Sequence, residues 1–196
     1  MDVSEPLPRM KVYSGLQVWF TSDTHYWHKN IIKYCERPFR DVHDMNAEMV
    51  RRWREVVAPE DLVFHLGDFS FGGLEKAMTV GLQLPGRKIL VRGNHDTKRD
   101  RWGFTDTEFV NTMGFEQVVG IDGLTLEMPQ GLFYLAHHPH PNRLAWPEAA
   151  KVDGCSIQLC GHVHDAWKYA GAACNVGVDQ WDFTPVSIEE ILRGHH

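Results

Sequence analysis

The stretch LQVWFTSDTH, residues 16–25, opens as an apolar, β-prone run and ends in small and polar residues. This is the pattern of a buried strand that hands polar groups to the loop after it. Downstream, residues 41–57 set Val42, Met45, Met49, Trp53, Val56 and Val57 on one helical face, with Asp41 or Asp44 able to cap and Pro59 just beyond. The alternation recurs, because DLVFHL (61–66) and RKILV (87–91) are short apolar runs separated by a helical stretch over 74–84 that Pro85 and Gly86 close. Strand, helix, strand, helix, strand predicts an α/β fold with parallel pairing, right-handed crossovers and helices covering both sheet faces. Beyond Gly114 the texture turns to β: residues 116–119, 124–128, 132–136 and 156–160 are strand candidates, Asp122-Gly123 marks a hairpin turn, and 187–192 closes as a helix. Residues 1–15, with Pro6, Pro8 and Gly15, read as an extended arm.

The 196 residues suffice for one well-buried core and are few for two, so one domain over 1–196 is expected. A net charge of −6 disfavours nucleic-acid binding by the whole surface, although Lys29, Lys33 and the KRDR run at 98–101 could form a local positive rim. No apolar run approaches a membrane span and the first residues lack signal-peptide order, which predicts a cytoplasmic protein without a membrane partner. Cys35, Cys155, Cys160 and Cys174 show no paired spacing and read as reduced thiols. Histidine stands out: 12 in the chain, against a background of roughly 2% in average composition.

These histidines and their polar companions fall where strands end. Strand one delivers Asp23 and His25, the second Gly67 and Asp68, the third Gly93, Asn94, His95 and Asp96; in the β-rich half His137 follows LFYLA, and Gly161, His162 and His164 follow SIQLC. Ligands of open α/β sheets gather outside the carboxyl ends of strands, so the five loops are expected to converge. Asp, Asn and His offer oxygen and nitrogen donors suited to Mn²⁺, Fe or Zn²⁺, and seven such residues are enough for two ions sharing a carboxylate. The separation of two in Asp23/His25 and His162/His164 keeps each pair on one side of an extended segment, and the glycines before the ligands let backbone approach closely.

In order, the blocks DTH (23–25), GD (67–68), GNHD (93–96), His137 and GHVH (161–164) resemble those of the calcineurin-like binuclear metallophosphoesterases over residues 18–177. Phe69 departs from the pattern, since many members carry a second polar residue after the GD aspartate. The stretch DTHYWHKNIIKYCERPF also resembles a small subgroup of prokaryotic and phage phosphoesterases. The resemblance implies a four-layer αββα sandwich of two mixed β-sheets flanked by helices. It implies that Asp23, His25 and His164 hold one divalent ion, Asn94, His137 and His162 a second, and that Asp68 bridges them, with Mn²⁺ the expected metal and Fe, Zn or Ni the alternatives. It further implies a hydrolase of phosphate esters in which a hydroxide shared by the metals attacks phosphorus while His95 acts as general acid or transition-state stabiliser.

Phosphodiesters of nucleotide or nucleic-acid type are the expected substrates, because a small domain without a large cap leaves its site open. The alternatives are a phosphomonoesterase and a non-catalytic interaction module on the same scaffold. His28, Asn30 and Arg37 are candidate substrate contacts, Arg37 as a bidentate phosphate donor. His65 reads as a packing residue within a strand, His138 and His140 as companions of His137, and Asn175 as structural.

Overall fold

The computed structural model describes residues 7–97, 103–140 and 155–194. Its strands form two mixed sheets. In the first, β2 (Val18–Thr21), β3 (Leu62–His65), β4 (Arg87–Val91) and β5 (Phe115–Val119) lie parallel, and β11 (Val186–Ser187) joins antiparallel beside β2. The second runs in the order β1 (Arg9–Lys11), β6 (Leu124–Met128), β7 (Gly131–Leu135), β8 (Ile157–Cys160), β10 (Ala173–Asn175) and β9 (Tyr169–Ala170). Helices α1 (Ile31–Tyr34), α2 (Val42–Val56), α3 (Leu74–Gly81) and α4 (Asp106–Met113) fill the crossovers, and a further helix (Ile188–Gly194) follows β11. Two mixed sheets flanked by helices are the α/β sandwich that the strand and helix pattern and the resemblance together imply.

The period-two alternation of the strands explains the layering. Val18, Phe20, Leu62, Phe64, Ile89 and Val91 point one way and pack on Leu124, Leu126, Phe133, Leu135 and Leu159 of the second sheet. Val63 and Leu90 point the other way, onto Met45, Met49 and Trp53 of α2, Ala77 and Val80 of α3, and Phe109 and Met113 of α4. Helices therefore cover one face of the first sheet and not both, because a second sheet with its own apolar side takes the other.

The structure departs from the sequence reading in three further places. Asp122-Gly123 is a turn but closes no hairpin: β5 pairs with β4 in the first sheet, so the turn carries the chain across to the second. The hairpin lies between β6 and β7, where Met128 pairs with Gly131 around Pro129-Gln130. Helix α4 was not anticipated, although its ends are marked by a Thr105/Glu108 capping box and a left-handed Gly114. The arm contributes β1, parallel to β6, with Arg9 and Lys11 both on Glu127 at 2.9 and 2.6 Å; residues 1–6 lie outside the described ones. Among the described residues no helix is long and apolar enough to cross a membrane.

The topology gathers the polar loops. Strands β2, β3 and β4 run together, β7, β8 and β10 run together, and a parallel bridge between Ser22 and Gly177 ties the two sets at their carboxyl ends. Phe64, fully buried between the sheets and stacked on Phe20 at 5.8 Å, anchors the strand that delivers Asp68. Phe64→Ala is expected to lower stability by about 3–5 kcal/mol, read by chemical denaturation, and Phe64→Leu by clearly less.

Candidate metal centre

Buried carboxylates and imidazoles meet where the loops converge. Asp23 and His25 follow β2, and the backbone N–H groups of both donate to carbonyls of the β3 loop, Gly67 and Asp68, at 3.0 Å each. The His25 Nε2 lies 3.6 Å from Asp68 Oδ2 and 3.9 Å from Asp23 Oδ1, and His164 Nε2 lies 4.0 Å from the same Asp23 oxygen. On the other side, His137 Nε2 is 3.4 Å from Asp68 Oδ2, and Asn94 Oδ1 stands 3.1 Å from both His137 Nε2 and His162 Nδ1. The donor atoms of Asp23, His25 and His164 form one cluster within 4.8 Å, those of Asp23, Asp68 and His137 another, and those of His137, His138 and His162 a third. All seven expected ligands are thus drawn into one connected set, with His162 joined through Asn94 and His137.

The residues fit divalent cations by a second observation. Asp23 Oδ1 and both ring nitrogens of His25 are buried without a hydrogen-bond partner, a costly arrangement for groups that a cation would satisfy. The orientation agrees: Leu66 O can only accept, so His137 Nδ1 donates to it at 2.8 Å and Nε2 is the nitrogen that faces the cluster. Charge follows the same logic. Burial pushes His25 well below its ordinary value, and burial with His137 and His138 pushes His162 down to about 4. Burial opposes charge on His137 and His164 too. Asp68 and Asp23 nevertheless hold His137 up at about 9, and Asp179, Cys35 and Asp23 hold His164 at about 10. Carboxylates that draw protons onto these nitrogens are equally a field for metal ions.

Backbone strain marks the same place, and the segments that carry Asp23/His25 and His162/His164 are not extended as the spacing suggests. Asp23 (φ 54°), His25 (φ 48°), Asp68 (φ 57°), His162 (φ 71°) and His164 (φ 46°) all sit in the left-handed region, which disfavours side chains with a Cβ and persists where surroundings over-determine it. Close packing supplies that constraint. A Cβ at Gly161 would strike Ser22 Oγ and Asp23 Oδ2, and the His162 N–H donates to that Asp23 oxygen at 2.9 Å.

Other candidates fall differently. His95 is half-buried at the rim; its backbone N–H donates to Asp68 Oδ1 at 3.0 Å and its ring stands 5.9 Å from that of His25. His28 is half-buried beside His25, ring centroids 5.4 Å apart, and Asn30 is exposed at the start of α1. Arg37 is a correction: its guanidinium faces inward, not toward a phosphate. Nε and Nη2 grip Asp179 at 2.7 and 2.8 Å, and Nη1 and Nη2 donate to the carbonyls of Thr24 and Asp23. An internal carboxylate occupies the fork that a phosphate would need.

Asp96 and Asp179, without an assigned role in the sequence reading, complete the frame together with Asn175, structural as expected. Asp96 accepts from the backbone N–H of Asp68 (2.6 Å), Gly93 (2.8 Å) and Phe69 (3.0 Å), locking the β3 and β4 loops together. Asp179 holds His164 Nδ1 at 3.3 Å, and Asn175 donates to the His164 carbonyl. The signal for the two acids was one inside a quoted block (GNHD) and one just after the buried strand β10. His65 packs as expected, accepting the Gly67 N–H on Nδ1 and meeting Thr24 Oγ1 at 2.9 Å.

A model of the calcineurin-like phosphoesterase family matches residues 16–166. The chain belongs to that family. It is 30% identical over 186 residues to the Methanocaldococcus jannaschii protein MJ1445, covering 90% of each chain. It is 40% identical over 81 residues to the gene 66 protein of Mycobacterium phage L5, covering 40% of this chain and 39% of the phage protein. A solved structure, the Aquifex aeolicus protein of unknown function AQ665, superposes with a TM-score of 0.68 at 26% identity, over 91% of this chain and 98% of that one. Family membership makes the protein a metal-dependent hydrolase of phosphate esters, with the His/Asp clusters as its candidate metal sites.

Two outcomes test the frame. Asp96→Asn, which sets an amide where three N–H groups need acceptors, is expected to cost more than about 2 kcal/mol and to lower bound metal per chain, read by thermal unfolding and elemental analysis. Burial holds His65 down at about 3 against an ordinary 6.5, so the unfolded chain takes up its proton first as pH falls. Stability is full above pH 6.5 and drains from there toward 3; His65→Gln should flatten that part of the profile in denaturation at stepped pH.

Proposed function

We propose that the protein is a binuclear phosphodiesterase that works best with Mn²⁺. The observation that supports this reading is the connected set of Asp23, His25, Asp68, Asn94, His137, His162 and His164, with buried atoms of Asp23 and His25 lacking a hydrogen-bond partner. Asp23, His25 and His164 would hold one ion, Asn94, His137 and His162 the other, and Asp68 would lie between them. When bound, such ions polarise phosphate oxygens and lower the pKa of water.

The chain's own groups do the rest. Asp68 uses Oδ1 to fix the His95 backbone, which sets the imidazole at the rim, beside His25, where a departing alkoxide oxygen would need a proton. Asp179 and the Leu66 carbonyl fix the ring orientations of His164 and His137, so that a phosphate meets preset donors. Exposed His138 and His162 leave that edge open to solvent, which suits a diester with a group on each side of phosphorus.

Hydrolysis of bis-p-nitrophenyl phosphate should require Mn²⁺ and stop with chelator, exceeding that of the mono-ester. His95→Ala should keep its metal while kcat falls about 10²–10⁴-fold. Metal-loaded, folded protein without turnover of either ester would falsify the reading, and an unchanged kcat in the variant would remove His95 from it.

A further inference from the structure

The centre holds one imidazole more than the seven-residue set uses. His138 directly follows His137, and in an extended segment neighbouring side chains point to opposite faces. Here the two rings instead stand 4.9 Å apart at 85°, and the His138 ring lies 4.3 Å from that of His162 at 53°. His137 and His162 are themselves 5.2 Å apart, so the three imidazoles close a triangle. One donor atom of each lies within 4.8 Å of the other two, with His137 buried and His138 and His162 exposed. Metal–nitrogen bonds of about 2.0–2.1 Å set ligand atoms on opposite sides of an ion about 4.2 Å apart, and the two exposed rings have room to turn inward by the difference.

The backbone beneath His138 is built rather than loose. Gln158 of β8, fully buried, donates from Nε2 to the His138 carbonyl and accepts the His140 N–H on Oε1, both at 2.8 Å. Pro139 and Pro141 restrict the same stretch from within. The Gly161 N–H donates to the His137 carbonyl at 2.9 Å, which ties this loop to the one that carries His162. An exposed side chain fills no interior, so packing does not account for a ring held in this place.

Its neighbours supply a reason. His137 spends Nδ1 on Leu66 and turns Nε2 to Asn94 Oδ1 at 3.1 Å, and His162 Nδ1 meets the same Asn94 oxygen at 3.1 Å. A cation among those three atoms has the His138 ring on its solvent side. Imidazole-rich positions suit Zn²⁺ and its relatives, whereas carboxylate-rich ones suit Mn²⁺. We propose that His138 is an eighth ligand, a third imidazole on the ion that Asn94, His137 and His162 hold, and that it shifts this position toward Zn²⁺ relative to the Asp23 position. The proposal rests on the binuclear reading and adds a donor to it.

The test titrates the full, metal-stripped chain with Co²⁺, which stands in for Zn²⁺ and absorbs visible light according to its ligands, and follows binding by calorimetry and absorption. Wild type should take two ions. His138→Ala should weaken one binding step by about tenfold or more, since loss even of a group behind a ligand costs that much, should change the absorption of that ion, and should leave the other step as it was. His138→Asn, which keeps an oxygen donor, should recover part of the loss and carries the test should the alanine variant not fold. Loaded from equal Mn²⁺ and Zn²⁺, wild type should retain more zinc per chain than His138→Ala by elemental analysis. Two ions bound by His138→Ala with wild-type affinity and absorption, or both steps weakened alike, overturns the proposal; so does a variant altered only in KM, which sets His138 on the phosphate instead. A wild-type chain that takes fewer than two ions marks the failure of the binuclear reading itself.

Discussion

Two buried carboxylates, Asp23 and Asp68, face the same small volume at the carboxyl ends of the first two parallel strands. Like charges removed from water repel and lose hydration, and neither loss is tolerable without compensation. The surrounding structure is organised as that compensation. Backbone N–H groups of His162 and His95 donate to Asp23 and Asp68, imidazoles ring the pair, and the remaining deficit is what divalent cations fill. Burial raises Asp23, while His137, His25 and the His95 N–H hold Asp68 below the usual carboxylate range against its own burial. The pair is thus asymmetric before any ion arrives.

The strain that accompanies this arrangement is shared among loops. Left-handed conformations at five residues of the candidate centre each carry a modest penalty, of order 1–3 kcal/mol, and none would persist on a free loop. They persist because each loop is held by another: the β3 loop by Asp96, the β2 loop by Gly67 and Asp68 carbonyls, the β8 loop by Asp23 and Asn175. Precision at the centre is a property of the assembled loops.

How much of this could be read from the chain follows from locality. The buried runs 16–22, 61–66 and 87–91 and the Asp, His and Gly at their ends are local patterns, and a strand entering a core must present polar residues where it leaves. The convergence of these residues was legible for that reason. Which sheet a strand joins is decided by partners far away in sequence, so Asp122-Gly123 was misread as a hairpin and residues 116–119 were placed in the second half's layer. Arg37 was misread for the same cause: nothing beside it announces Asp179, 142 positions later. Helix α4 had a visible capping box that the surrounding polar sequence obscured.

The Arg37–Asp179 clamp also bears on the order in which the molecule can be made. Carbonyls of Asp23 and Thr24 are held by a guanidinium whose counter-charge, like strand β11 beside β2, comes from the last stretch of the described chain. While the ribosome is still extending the polypeptide, the loop after β2 therefore lacks its brace. A chain that stops short of residue 179 leaves the Arg37 guanidinium without its carboxylate, so the geometry of the first loop is completed by the far end of the sequence.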